Sequence, residues 1–170
     1  MVRIVDQDEW AASSYAANGL LFCDVRKEAD GSYYIQDCQR NLLASVVATD
    51  GVSNTIMFAE KVARCDPRGG TGWISGGNAR DFADSGESVL SCFGAIGLPM
   101  GAGRGVGPDS KFKVLVGDRD CNPDNASSCH SVLNVIFADG SGRGLSPSIN
   151  AKVWWGIVTP NEDEMSSGEF

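Results

Sequence analysis

His130 is the only histidine in the chain; it follows Cys129 and precedes an apolar run that ends at Asp139-Gly140. Those residue types invite a nucleophile–histidine–acid reading, in which a carboxylate holds the imidazole against a Ser or Cys. The spacing opposes it. Asp139 stands beyond the seven-residue run 132–138, which at strand rise puts it at least ~20 Å from His130. Cys129 is adjacent in sequence, but neighbours in an extended chain point to opposite faces. Catalysis, by metal or by thiol, therefore needs a partner for His130 from elsewhere in the chain, and the expectation is that this is not an enzyme.

Two further stretches have chemistry-bearing composition. Asp118, Asp120, Asn122 and Asp124 alternate, as oxygen ligands do at the start of a calcium loop. Pro123 stands where an EF-hand has its turn glycine, and Cys129 where it has its bidentate glutamate. That excludes an EF-hand and leaves an irregular calcium site or, more plainly, an acidic solvated loop. GAGRGVG at 101–107 looks like a phosphate loop but carries Val106 where the dinucleotide fingerprint needs glycine. It also precedes a strand-like segment instead of a helix, and reads as a surface loop.

The elements that position these residues read as mostly β. Residues 13–25 suggest a turn at Asn18-Gly19 entering a short strand, and SYYI at 32–35 a second strand. An apolar run at 42–51 closes on Asp50-Gly51, and SNTIMFAEKVA follows as a buried run whose period leaves strand and helix open. KFKVLVGD at 111–118 reads as a strand. The run before Asp139-Gly140 is a strand entering a hairpin turn, with Leu133, Val135 and Phe137 on one face. A helix is expected over about 146–159, capped by Ser146, with Pro147 in its first turn and Pro160 as its stop. Ile149, Val153, Trp154, Ile157 and Val158 make its apolar face.

Composition bounds the class. The chain has 170 residues, 42% hydrophobic and 21% charged, with formal net charge −8; one globular domain over 1–170 is expected. The charge disfavours nucleic acid and anionic membrane surfaces, which both require excess Lys and Arg. Cysteines stand at Cys23, Cys38, Cys65, Cys92, Cys121 and Cys129, with no C-x-x-C pair. An even, scattered set reads as up to three disulfides and an oxidising compartment; Cys121 with Cys129 is the local pairing expected, and free buried thiols are the alternative. MVRIVDQDEW carries charges where an export signal has its apolar core, and no stretch reaches the ~18 apolar residues needed to span a bilayer. Secreted-style cysteines without an export signal lead to the expectation that the chain has lost its beginning.

Three stretches in order carry a family resemblance. SYAANGLLF at 14–22, TDGVSNTIMFAEK at 49–61, and His130 through Asn134-Val-Ile-Phe137-Ala-Asp139-Gly140-Ser to the Val-Trp helix resemble a large bacterial pilin-like family. It is a domain of unknown function associated with prepilin-type cleavage signals, and it has also carried a solute-binding label. The chain departs from it in three places. Eight residues separate His130 from Asp-Gly where the family has nine; Gly142-Arg143-Gly144 replaces a Val-Arg-Phe-like strand; and the tail is NEDEMSSGEF.

The resemblance implies an α+β, mostly β, pilin-like globular head with an antiparallel sheet, Gly-rich loops and a C-terminal helix. It implies an extracellular, cell-surface pilin or pseudopilin-like subunit serving filament assembly, attachment or secretion, with other copies or pilin-like subunits as partners. Calcium is the one cofactor worth testing. Family members begin with a prepilin leader and a long apolar helix; the expectation is that this helix has been removed here, the alternative being that this copy works without it. Framework roles fall on Asp50, Gly51, Ser53, Asn54, Thr55 and Glu60 in the middle stretch. They fall on His130, Asn134, Phe137, Asp139 and Gly140 in the later one, with the histidine packing at a strand start. The alternative is an extracellular ligand-binding or solute-binding module with a pocket under loops 66–81 and 94–110, Trp73 serving as a stacking platform.

Overall fold

Ile56 to Glu60, the run whose period left helix and strand open, is the central strand of the main sheet. The computed structural model describes residues 13–22, 24–27, 33–37, 50–65, 69–70, 88–89, 92–93, 107–117, 119–122 and 125–160. In chain order the elements are β1 (Tyr15–Asn18), the one-turn helix α1 (Gly19–Phe22), β2 (Asp24–Lys27), β3 (Tyr33–Asp37) and β4 (Ile56–Glu60). Then come β5 (Arg64–Cys65), β6 (Gly69–Gly70), β7 (Ser88–Val89), β8 (Cys92–Phe93), β9 (Leu133–Phe137), β10 (Gly142–Leu145) and α2 (Ala151–Val158). The main sheet runs β10-β9-β4-β1-β8. Its pairs are antiparallel except β1 with β8. A ribbon of β2 with β3 and a small sheet of β5-β6-β7 complete an α+β architecture that is mostly β.

Alternation along β9 decides what the sheet buries. Leu133, Val135 and Phe137 are fully buried while Asn134 and Ile136 are half-buried on the other face, the period-2 signature of one face against a core. Opposite them Ala16, Ile56 and Ala59 complete the inner face, and α2 lies in the same cluster through Trp154, Trp155, Ile157 and Val158. Trp154 is flanked by Phe93 (ring centroids 6.2 Å apart) and, edge-on, by Phe112 (5.0 Å). Each such fully buried large side chain contributes roughly 2 kcal/mol through area removed from water.

α2 differs from its expected limits. Ser146 does not cap it: the Ser146 hydroxyl accepts from the N–H of Ser148, and the Ile149 N–H bonds the Ser146 carbonyl, making a turn across Pro147. Asn150 is the N-cap, its side-chain oxygen accepting from the Lys152 N–H at 2.8 Å. An Asn side chain satisfies an orphan helix donor as well as Ser does, so the nearer cap wins. Residues Val153 to Val158 are all buried, so the helix is inserted into the core and not laid on it with a single stripe.

Two other expectations are corrected. Around Asn18-Gly19 a strand, β1, ends on Asn18, Gly19 opens the one-turn helix α1 where a strand was expected, and β2 begins only at Asp24. The stretch 111–118 is not a strand. Lys113 makes only an isolated parallel bridge to Ser127, and Leu115 sits at φ 55° and is 71% exposed. A positive φ at a non-glycine breaks the pleat, so the alternating pattern there does not become a β ladder.

Asn18 turns out to be a core residue. Fully buried, its Nδ2 donates to the Ile56 carbonyl at 2.8 Å and to the Val158 carbonyl at 2.7 Å, while Oδ1 accepts from the Leu20 N–H at 3.1 Å. One amide thus joins β1, β4 and the last turn of α2, whose carbonyls have no intrahelical partner.

Cys65 and Cys121 form a disulfide with Cα atoms 5.7 Å apart. The expected Cys121–Cys129 bond is therefore overturned: Cys121 faces β5, and Cys129 is an exposed free thiol. Cys23 and Cys38 lie outside the described residues, and Cys92 stands in β8.

Replacing Asn18 with Ala should cost about 3 kcal/mol in urea unfolding, because two buried carbonyls and one N–H lose their partners; a loss under ~1 kcal/mol would show that this amide is not a tie. The disulfide closes a separation of 56 residues, for which loop-closure entropy gives about 4 kcal/mol as an upper figure. The Cys65→Ala/Cys121→Ala double variant should lose a large part of that, and non-reducing peptide mapping should recover the Cys65–Cys121 pair and no Cys121–Cys129 pair.

Candidate functional site

The middle and late motif stretches meet at both ends of β4. At its start, Asp50-Gly51 opens a turn with Gly51 at φ 79°, a left-handed conformation that glycine adopts without strain. The Asn54 N–H and the Thr55 hydroxyl both bond the Gly51 carbonyl, and the Asn54 amide bonds the Asp50 carbonyl. Facing it is the β9–β10 hairpin, with Gly140 at φ 83° and the Ser141 N–H donating to Asp139 Oδ1 at 2.8 Å. The two turns are joined by backbone bonds from the N–H groups of Ala138 to Thr55 (2.9 Å) and of Asp139 to Val52 (3.1 Å). Hydrogen bonds from Ser141 above all, then Ser53, with the nearby Arg143 charge, hold the Asp139 carboxyl below the usual aspartate range. Asp139 caps the hairpin turn expected at Asp139-Gly140, and its backbone N–H also joins that turn to the one at Asp50-Gly51, which the sequence did not indicate.

At the other end of β4 Glu60 gathers donors. Its Oε2 accepts from the Ser128 hydroxyl at 2.8 Å and from the Asn134 N–H at 3.0 Å. Oε1 lies 3.6 Å from His130 Nε2. The Ser128 hydroxyl in turn accepts from the His130 N–H at 3.0 Å. The Glu60 side chain is only 10% exposed, whereas that of His130 is 60% exposed. Burial alone pushes the Glu60 carboxyl up, but the backbone and side-chain bonds from Asn134, the Ser128 hydroxyl and the His130 charge outweigh it, leaving the pKa below its ordinary value of 4.5.

His130 accordingly does not pack at a strand start. It projects from the loop three residues before β9, with one edge toward Glu60. The order of groups decides what this cluster does chemically. A nucleophile triad sets the imidazole between acid and hydroxyl. Here the carboxylate stands between them, so the Ser128 proton is directed at Glu60 Oε2 and not at the imidazole. The cluster holds the segment 125–130 against β4, assisted by bonds from the Ser127 N–H to the Glu60 carbonyl and from the Val62 N–H to the Ser127 hydroxyl.

Asp118 and Asp124 lie outside the described residues, Asp120 is exposed and Asn122 half-buried. Among the described residues there is no group of three or more His, Cys, Asp or Glu able to hold a metal. Trp73 and most of loops 66–81 and 94–110 are likewise outside them. Phe137 is fully buried, with the Arg143 guanidinium 4.5 Å above its ring. Sequence reading missed Asn18 as a tie, Ser128 altogether, and the pairing of Glu60 with His130. The one available signal was a lone carboxylate ending the apolar run IMFA, a residue type seldom buried without partners.

No family model, no curated protein and no solved structure matches the chain.

A carboxylate with a folded pKa below its unfolded one contributes stability that is complete above the unfolded value and is lost as pH falls through the folded one. Urea midpoints should therefore fall as pH drops below 4.5, and the Glu60→Gln variant should show a shallower fall in that window. Near neutral pH that variant should be less stable by about 1–2 kcal/mol through loss of charge-assisted bonds. His130→Ala should cost under ~1 kcal/mol, as an exposed pair does. Equal acid slopes for the wild type and Glu60→Gln would remove Glu60 as the latch.

Proposed function

We propose that this chain is the globular head of an extracellular, pilin-like structural subunit, acting in filament assembly, surface attachment or secretion and not by turning over a substrate. The observation that carries the reading is the use made of the motif residues. Asn54, Thr55, Asp139 and Glu60 direct their polar groups at neighbouring backbone and hydroxyls, so they brace β4 instead of lining a cleft; the Asn134 N–H bonds Glu60 from the rim of a shallow depression. Framework use of this kind is what the pilin-like resemblance implies for the same positions. The Cys65–Cys121 disulfide supports an oxidising compartment. No helix among the described residues is long and apolar enough to cross a membrane. Partners in this reading are other copies of the chain or related pilin-like subunits.

The test is fractionation of source cells. After shearing, the protein should be recovered in a sedimenting surface fraction, and cross-linking followed by mass spectrometry should return contacts between copies or with other pilin-like subunits. Recovery only as a monomer, from culture fluid or from inside the cell, would overturn the assembly role.

A further inference from the structure

β10 is the outer strand of the main sheet on the hairpin side, and the register shows what it leaves open. The Phe137 N–H bonds the Ser141 carbonyl, and β10 continues the ladder with Gly142 opposite Ile136, Arg143 opposite Val135 and Gly144 opposite Asn134. Bonding alternates along an antiparallel pair, so Arg143 faces β9, while Gly142 and Gly144 turn their N–H and C=O groups outward. Gly142, Arg143 and Gly144 are all exposed.

Proteins ordinarily guard such an edge with Lys, Pro, a bulge or an inward charge. This edge has two glycines and one cation, Arg143, whose guanidinium lies over the Phe137 ring. The chain's own packing does not demand glycine at 142. A Cβ there would come no nearer than 3.9 Å to any atom, and its φ is not positive. A strand glycine without an internal reason marks a place where another backbone approaches closely.

We propose that the open edge of β10 accepts an extended segment of another protein as an additional strand, and that this segment presents a carboxylate opposite Arg143. This inference does not rest on the pilin-like reading. A second copy of β10 is a poor occupant. Antiparallel pairing through the outward groups of Gly142 and Gly144 sets Arg143 directly opposite Arg143, and like charges so placed are unfavourable. A carboxylate at the same position meets a guanidinium whose in-plane N–H donors are left free by stacking on a ring. Asp139 lies near enough to feel the Arg143 charge, but its carboxylate takes its hydrogen bonds from Ser141 and Ser53.

The flanking residues of the incoming strand fall on the opposite face of the sheet. There a shallow depression of about 290 Å³ is lined by Tyr15, Asn134 and Ile136 beside the two glycines, with Tyr15 48% exposed. The segment recognised therefore reads apolar–acidic–apolar, held by backbone bonds and selected by alternate side chains.

Amide NMR of the full chain tests this with the synthetic peptide acetyl-Thr-Val-Glu-Val-Thr-amide and its counterpart carrying Lys for Glu. The Glu peptide should shift the Gly142 and Gly144 amides saturably and bind about fivefold more tightly than the Lys peptide. Gly144→Pro, which removes an outward donor, should abolish the shifts. Arg143→Glu, a surface change independent of that variant's folding, should reverse the order of the two peptides. Three results would overturn the proposal: no shift of those amides with either peptide at millimolar concentration, equal binding of both peptides that Arg143→Glu leaves unchanged, or shifts that grow with protein concentration alone, which would assign the edge to a second copy.

Discussion

A single buried amide ties the described fold together. Asn18 stands where three elements converge, and its two donors go to carbonyls of β4 and of the end of α2. In a low-dielectric interior an unpaired carbonyl is costly and a paired one is worth more than in water. The same amide that satisfies both carbonyls therefore also sets how far the helix can sit from the sheet. Its remaining acceptor takes the Leu20 N–H, so it also starts the turn of α1. Few other side chains could do this. Asp lacks the donors, Leu lacks every polar atom, and Gln carries its amide one carbon too far out.

With the helix fixed to the sheet, the rest depends on β4, whose two ends are occupied differently. Its first end is held by backbone bonds between two turns, each relying on a glycine at positive φ, Gly51 and Gly140. Its last end is held by a side chain, the Glu60 carboxylate, which accepts from a loop hydroxyl and from the next strand's N–H. The disulfide from Cys65 to Cys121 lies just beyond that end and ties the chain covalently at Cys121, a few residues before the 125–130 segment. β10, on the far side of β9, is an outer strand of the same sheet and turns the backbone groups of Gly142 and Gly144 outward.

Much of this was legible where local chemistry decides the outcome. Asp139-Gly140 could be read as a turn because aspartate caps it and glycine tolerates its φ. Leu133, Val135 and Phe137 could be placed on one face by alternation, although Ile136 and Ala138 made the other face look apolar too and left open which one is buried. The motif stretches 49–61 and 130–140 stood out by residue type, though nothing in either says that one docks on the other. The failures share a cause, since each was settled by a partner distant in sequence. Asn18 read as a turn former because its carbonyl partners lie 38 and 140 residues away. Cys121 bonds across 56 residues instead of to the nearer Cys129. At 111–118 the apolar alternation was real, and Phe112 does enter the core, but Leu115 takes a left-handed φ that no pattern of apolar residues foretells.

The location of Glu60 shows how much one residue can decide. Ile56 pairs with Phe137, yet Phe58 and not Met57 pairs with Ile136, so the strand carries one extra residue between them. Side chains alternate with a period of two, and in a regular strand residue 60 would share the inner face with Ile56, among Val135, Phe137 and the tryptophans of α2. A carboxylate there would lose its hydration with no donor to replace it. The bulge shifts the phase, so Ala59 takes the inner position opposite Ala16 and Val135. Glu60 then falls on the outer face, opposite Tyr15 and within reach of Ser128 and the Asn134 N–H. Bulges of this kind re-aim side chains, and here the re-aimed group is the one that fixes the 125–130 segment. The extra residue and the latch are thus one device: without the former, the latter would be a buried, unpaired charge in the core.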